Sequence, residues 1–235
     1  MTSDIIVQLS ILVLTLCIFY AVNKFSKQMQ LSILVLTLCI FYAVNKFSKQ
    51  TLTNIRVKNR FKAQAHRHFI QGAHLLSRAR STANRTTSLN LAKDAVNLAD
   101  QALSLEPRDG ATLILKGLAL DLMGHKSAAL KCVDQALTFP AVKALSEKER
   151  GDALFTRAEL RMAVNRRRRV DSAVADLLEA VRLSEDNGKA FCLLGQCFVI
   201  KGMRNEAKNA FERALRIEPD LVEARQGLLD LDSGA

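Results

Sequence analysis

Apolar residues open the chain in two runs that are copies of one another. Residues 8–28 and 30–50 are identical letter for letter, and their apolar stretches, 9–22 and 31–44, are interrupted only by Ser and Thr. A helix that spans a membrane needs about 17–25 mostly apolar residues. The pattern therefore predicts an anchor region at residues 1–50, with membrane spans near 5–22 and 29–44. One functional span and a two-span hairpin are both compatible with it.

The stretch after the second run is strongly basic. From Thr51 to Lys93 there is no Asp or Glu. Because Lys and Arg collect on the cytosolic side of membrane spans, this predicts a membrane protein whose C-terminal bulk is cytosolic, behind a juxtamembrane linker at residues 51–60. Bases near an anionic leaflet gain about 1 kcal/mol each, although they could instead only fix the orientation. The residues predicted to face membrane lipid are Arg56, Lys58, Arg60 and Lys62.

Beyond the basic stretch, the pattern of small and apolar residues repeats. Four segments share pairs of Ala seven residues apart, and these pairs recur after 34, 44 and 34 residues. A period near 34 residues, in a chain with only 3 Pro and 6% aromatic residues, indicates stacked pairs of helices. The pairs are Ala95 and Ala102, Ala129 and Ala136, Ala173 and Ala180, and Ala207 and Ala214.

Local signals place the ends of these helices. Seven of the ten extra residues in the long interval fall in VKALSEKER, residues 142–150, which predicts an extended helix. The other three fall at Arg166–Arg169, which is predicted to be a turn between two helices. Gly124 and Gly202 each follow an apolar segment and are predicted to end a helix, where a left-handed backbone is often needed.

One segment carries a recognisable motif. Residues 188–220 present large, small and aromatic positions in a fixed order, at Phe191, Leu194, Gly195, Phe198, Gly202, Ala207, Phe211, Ala214 and Pro219. This order resembles the tetratricopeptide-repeat family. The resemblance implies an all-α helical solenoid with repeats at residues 61–107, 110–143, 151–187 and 188–221. A capping helix and tail follow at 222–235, and the predicted transmembrane helix or helices precede the array.

The resemblance also implies a binding surface. In this family the first helices of successive repeats line a concave groove that takes a peptide or a helix. An alternative is that the N-terminal helix covers Ile114, Leu118 and Phe155, leaving no groove. The groove positions carried over onto this sequence are Ala111, Ile114, Leu118, Asp121, Asp152, Phe155, Glu159, Met162, Lys189, Cys192, Gln196 and Val199.

The residues that some family members use to bind chaperones bear on which partners are expected here. Some members bind the C-terminal carboxylate of chaperones through Lys, Asn and Arg side chains, which an anionic tail requires. The corresponding positions here hold Phe69, Ala73, Leu115, Asp152 and Thr156, so the resemblance makes a chaperone tail an unlikely ligand. No aromatic residues interleave with the bases in the manner that stacks nucleic-acid bases, and no nucleic-acid partner is expected.

The sequence therefore predicts a non-enzymatic scaffold that binds a protein or peptide and displays its repeats on the cytosolic face of a membrane. Catalytic and phosphate-loop motifs are absent from the sequence, and no C-x-x-C pair suggests a metal site, so no cofactor is expected. The alternative function is an organelle-surface receptor or assembly factor, in which the basic segment contacts acidic lipid or the partner.

Overall fold

The computed structural model describes residues 2–22 and 27–233, all of whose regular structure is helical. The chain divides into an N-terminal unit, residues 1–60, and a repeat unit, residues 61–235. The α-helices are α1 (Thr2–Val22), α2 (Lys27–Ser81), α3 (Arg85–Leu105), α4 (Gly110–Leu122), α5 (Lys126–Ala136), α6 (Glu147–Leu183), α7 (Gly188–Ile200), α8 (Arg204–Ile217) and α9 (Val222–Asp232), with a short 3₁₀ helix at Ala141–Ala144.

The N-terminal unit holds α1 and the residues of α2 up to Arg60. Within the described ranges 2–22 and 27–233, no helix combines the length and the apolar character needed to cross a membrane. The predicted transmembrane helices, and the membrane location with a cytosolic repeat domain that was derived from them, are therefore wrong.

Length gives the physical reason for this correction. The predicted spans 5–22 and 29–44 hold 18 and 16 residues, which lie near and below the lower limit of the roughly 17–25 that a spanning helix needs. Each also contains Ser and Thr, and the second begins a helix that continues into the basic stretch after Thr51. The prediction weighed local apolar content more heavily than the length over which it lasts.

Stripes of small residues build the repeat unit. Helix α3 buries Ala92, Ala95, Ala99 and Ala102 on one face, at the spacing that keeps side chains on one side of a helix. The shared Ala positions of the other repeats, at 129, 173 and 207, are likewise fully buried. Because Ala occupies little space, neighbouring helices approach closely and larger residues fill the gaps beside the contact. This confirms the all-helical solenoid predicted from the repeat period.

The turns within two of the repeats use glycine as predicted. Gly124, after α4, has φ of 85°, and Gly202, after α7, has φ of 73°. Both values lie in the left-handed region, which costs a residue with a Cβ atom about 1 kcal/mol or more and costs glycine nothing. Each turn therefore reverses the chain directly into the next helix, α5 or α8.

The ten-residue insertion differs from the expectation in its details. Only the second half of VKALSEKER is α-helical, because Ser146 ends the preceding segment and caps α6. The Ser146 Oγ accepts a hydrogen bond from the Glu149 amide at 3.3 Å, and the Glu149 carboxylate accepts one from the Ser146 amide at 2.8 Å. This reciprocal capping box fixes the start of the helix at Glu147.

Helix α6 folds back on itself at one residue. Asn165 has a non-helical backbone (φ −157°, ψ 90°), and its side chain accepts a hydrogen bond from the Arg168 amide at 3.1 Å. Residues 166–169 are consequently helical, and the predicted turn is reduced to Asn165. Hydrogen bonds between the two limbs, residues 147–164 and 166–183, join Arg150 to Glu179 and Arg161 to Ser172, which shows that the limbs are antiparallel.

Candidate functional site

Three cavities in the repeat unit form what we call the groove. The first cavity measures about 420 Å³ and lies between the C-terminal part of α2, helix α4 and the start of α6. Its floor is apolar, since Leu76 and Leu115 are buried there and Ile114 and Leu118 are half-buried. Charged residues at the cavity are Arg80, Glu149 and Asp152.

The second and third cavities adjoin one another, because Gln196 and Glu223 line both. The second measures about 270 Å³ and is lined by Phe155, Glu159, Lys189, Cys192, Leu193, Gln196, Leu221 and Glu223. The third, of about 540 Å³, lies against α9 and has Arg166, Val199, Val222 and Asp230 in its wall. The first cavity shares no lining residue with these two, but Asp152 of the first and Phe155 of the second lie three residues apart on α6, so this helix borders both.

Most of the groove residues named from the sequence line these cavities. Ala111, Ile114, Leu118 and Asp152 line the first cavity. Four others, Phe155, Glu159, Lys189 and Cys192, line the second, Gln196 lines the second and third, and Val199 lines the third.

Two of the named residues lie outside the three cavities. The Asp121 carboxylate accepts a hydrogen bond from Lys126 Nζ at 2.6 Å, and Met162 packs against the core between α6 and α7. Peptide binding by any of these residues stays a prediction.

The basic residues proposed to face lipid lie on α2. Arg56, Lys58, Arg60 and Lys62 are all solvent-exposed. Exposure is the ordinary condition of Lys and Arg and does not distinguish a lipid contact from a solvated surface. Their lipid contact stays a prediction.

The sequence did not single out several residues of the groove. Leu76, Ser77 and Arg80 come from the helix of the first repeat, and Leu145 and Glu149 come from the insertion before α6. The signal in α2 was its helical spacing, because Phe69, Ala73, Leu76 and Arg80 recur at intervals of three or four residues. Leu145 carried no comparable signal, since only the packing of the insertion brings it to the cavity.

Carboxylates in the groove are held in an environment that disfavours their charge. Burial, and then the nearby Asp121 carboxylate, raises the pKa of Glu159 above its ordinary value, against the opposing influence of Lys126, Lys189 and Arg80. The Glu159 side chain is nevertheless solvent-exposed, as expected for a residue inside an open concavity. Partial desolvation in the cleft also raises the pKa of Asp152, although this residue, like Glu159, is solvent-exposed.

Burial also disfavours the charged form of the thiols in the core. Burial is the main cause that raises the pKa of Cys192 and of Cys197, in each case to about 11. Only the thiolate is a nucleophile, and at about pH 8 roughly one such thiol in a thousand is ionised. Cys192 therefore contributes a small apolar surface to the groove rather than a reactive group.

This difference in thiol environment can be measured. At mildly alkaline pH we expect iodoacetamide to modify the exposed Cys17 and Cys39 rapidly and the buried Cys132, Cys192 and Cys197 only after unfolding in guanidinium chloride. Peptide mass spectrometry of samples quenched over time gives the rate at each site. Modification of Cys192 in the native chain as fast as of Cys17 would show that the groove is not packed as described.

Comparison with known proteins agrees with this architecture. A family model described as Tetratricopeptide repeat matches residues 188–221. No curated protein sequence matches the chain.

Solved structures extend the likeness over most of the chain. The structure of MamA 41-end from Desulfovibrio magneticus RS-1 is similar with a TM-score of 0.58 and 16% identity, over 73% of this chain and 85% of that one. The structure of YrrB has a TM-score of 0.52 and 19% identity, over 68% of this chain and 75% of that one. TTC0263 from Thermus thermophilus has a TM-score of 0.50 and 20% identity, over 69% of this chain and 82% of that one. At such identities the likeness shows the fold alone: the chain has a helical solenoid fold like that of these structures, and residues 188–221 match a tetratricopeptide repeat.

Proposed function

We propose that this chain is a non-enzymatic interaction scaffold that binds a peptide segment of a partner protein in the groove. The observation that carries the proposal is the set of half-buried apolar side chains, Ile114, Leu118 and Phe155, that line open cavities rather than filling the core. An open, mostly apolar cleft with a few charged groups at its edges is the usual form of a binding site.

Two further points support the proposal. Tetratricopeptide-repeat proteins are generally interaction scaffolds, and YrrB, whose fold this chain shares, is described as having an unusual peptide-binding site. The residues at the family's carboxylate-binding positions also favour an apolar ligand, since Phe69, Ala73 and Leu115 offer no cation to a chain terminus. An internal peptide segment with large apolar side chains fits this surface better than an acidic tail.

A substitution inside the groove tests this function. Peptides are first selected from a random display library on the full chain, and each is then titrated by fluorescence anisotropy. We expect Leu118→Asp to weaken binding by roughly tenfold or more, because a carboxylate in the apolar floor cannot be buried without losing its hydration.

Leu178→Asp is the matched control. Leu178 is 50% exposed on the second limb of α6 and lines none of the three cavities, so this variant should bind like the original chain. Thermal melts by circular dichroism establish that both variants are folded. Selected peptides that bind the Leu118→Asp variant with undiminished affinity would refute a role for the groove.

A further inference from the structure

Ion pairs in the repeat unit are unevenly distributed. The acids that form ion pairs all lie outside the groove, as Asp100 does with Lys116 and Asp171 does with Lys201, although other acids outside it, such as Glu206 and Glu212, form none among the described residues. In contrast, Asp152, Glu159 and Glu223 have no Lys, Arg or His nitrogen within 4 Å among the residues that the structure describes. The groove thus contains carboxylates whose charge the protein itself leaves uncompensated at close range.

The sign of charge in the groove is opposite to that of the chain. The chain carries a formal net charge of +11, and its residues 5–93 include no acid at all. Among the residues lining the three cavities, acids outnumber bases by five to three. The acids are Glu149, Asp152, Glu159, Glu223 and Asp230, and the bases are Arg80, Arg166 and Lys189. An excess of one sign of charge along a cleft favours a ligand of the opposite sign.

We propose that the groove selects a positively charged peptide segment in which Lys or Arg side chains accompany large apolar ones. This rests on the proposed function and specifies the chemistry of its ligand. The apolar side chains of such a segment contact Ile114, Leu118 and Phe155, while its cations pair with Asp152 and Glu159. Charge complementarity of this kind sets specificity and association rate more than total affinity.

The electrostatic state of the empty groove agrees with this assignment. Burial opposes the ionisation of Asp152 and Glu159, and Asp121 adds a like charge beside Glu159. A ligand cation beside either carboxylate stabilises its charged form, whereas a ligand carboxylate adds another like charge. Acidic segments are therefore disfavoured in the groove itself, even though the net charge of the whole chain attracts them.

A pair of synthetic peptides provides the test. Both carry the same Leu and Phe residues, and one has Lys at each position where the other has Glu. Titrated against the full chain in about 0.05 M salt, the Lys peptide is expected to bind at least tenfold more tightly, and the difference is expected to shrink in about 0.5 M salt. Because the net charge of +11 favours the Glu peptide, a preference for Lys has to arise locally.

Variants that remove charge from the groove test whether the preference for the Lys peptide arises there. The double variant Asp152→Asn, Glu159→Gln should lose most of the preference for the Lys peptide and stay folded, since both side chains are solvent-exposed. The control variant Glu206→Gln, Glu212→Gln removes two exposed carboxylates from α8, outside the three cavities, and should keep the preference.

The outcomes separate this inference from the proposed function. Equal binding of the two peptides, or a preference that survives the Asp152→Asn, Glu159→Gln variant, overturns the charge selection. If library-selected peptides still depend on Leu118 in that case, peptide binding itself stands. Light scattering provides one more outcome. A dimer that the Lys peptide neither binds nor dissociates would mean that a second copy of the chain covers the groove. That result would also overturn the charge selection.

Discussion

Replacing Asp176 with Ala is expected to lower the free energy of unfolding by about 3 kcal/mol, because it leaves two largely buried guanidinium groups without their main partner. Asp176 is only 5% exposed. Its carboxylate accepts hydrogen bonds from Arg157 Nε at 2.9 Å, Arg157 Nη2 at 2.6 Å and Arg161 Nη1 at 2.6 Å. At about 2–4 °C per kcal/mol for a chain of this size, the melting temperature should fall by roughly 6–12 °C.

The expected loss is not larger because one acid remains nearby. Asp134 on α5 lies 3.4 Å from Arg157 and 3.8 Å from Arg161, so the two cations keep a weaker partner when Asp176 is removed. Asp134 is itself 44% exposed at its side chain, and solvent screens its attraction.

Asp171→Ala is the matched control for this measurement. Asp171 lies on the same limb of α6, but its side chain is 80% exposed and pairs only with Lys201. An exposed pair contributes about 1 kcal/mol or less, so this variant should melt within a few degrees of the original chain. Equal melting temperatures for the two variants in thermal circular dichroism would show that the buried cluster does not hold the hairpin.

The cluster also connects stability with binding. Arg157 and Arg161 lie on the first limb of α6, which carries Phe155 and Glu159 into the second cavity, whereas Asp176 lies on the second limb. The hydrogen bonds across the hairpin therefore fix the position of the limb that presents groove residues. A variant that loosens the hairpin is expected to weaken peptide binding as well, although Asp176 lines none of the three cavities.

Features that depend on spacing along the chain were predictable from the sequence. The period of the Ala pairs indicated the stacked helices, and the positions of Gly124 and Gly202 indicated two turns, because each of these signals is local or periodic. The predicted membrane spans failed although residues 5–22 and 29–44 are mostly apolar, and their 18 and 16 residues lie near or below the lower limit for a spanning helix. Composition alone did not decide between a spanning helix and the helices observed.

Only part of the groove could be predicted, because some of its residues lie outside the repeat pattern. Positions such as Ile114 and Phe155 follow from the repeat pattern, which assigns the same face of each first helix to the groove. Leu145 and Glu223 reach it from an insertion and from α9, and no period points to them. The pairing of Arg157 with Asp176 joins residues that are 19 positions apart on the two limbs of α6. It could not be predicted, because the turn between these limbs was itself placed at the wrong residues.

Replacing Phe211 with Ala is expected to cost about 3–5 kcal/mol, the usual range for removing a buried aromatic ring. Phe211 on α8 is 1% exposed and is the largest fully buried side chain in the described part of the chain. It belongs to the apolar core that joins α7, α8 and α9, so its loss should loosen the helices that line the third cavity. Denaturation by guanidinium chloride, followed by circular dichroism, measures the change.

Phe139→Ala serves as the control, since Phe139 is 72% exposed and its ring contacts Lys143 at 4.9 Å. Loss of that exposed contact should cost about 1 kcal/mol or less. A similar cost for both substitutions would contradict the burial that distinguishes the two rings.

The space around Phe211 makes a sharper form of this prediction possible. A methyl group on Gly195 would lie 2.7 Å from the Phe211 ring, and one on Gly227 would lie 2.5 Å from the same ring, so two glycines leave the space that the ring occupies. Gly195→Ala alone should therefore destabilise the chain by about 1–3 kcal/mol. In the Phe211→Ala background the same methyl group enters vacated space, and Ala favours the helix over Gly by about 1 kcal/mol, so the sign of the effect should reverse. Additive effects of the two substitutions would show that the Phe211 ring is not what limits the space at Gly195.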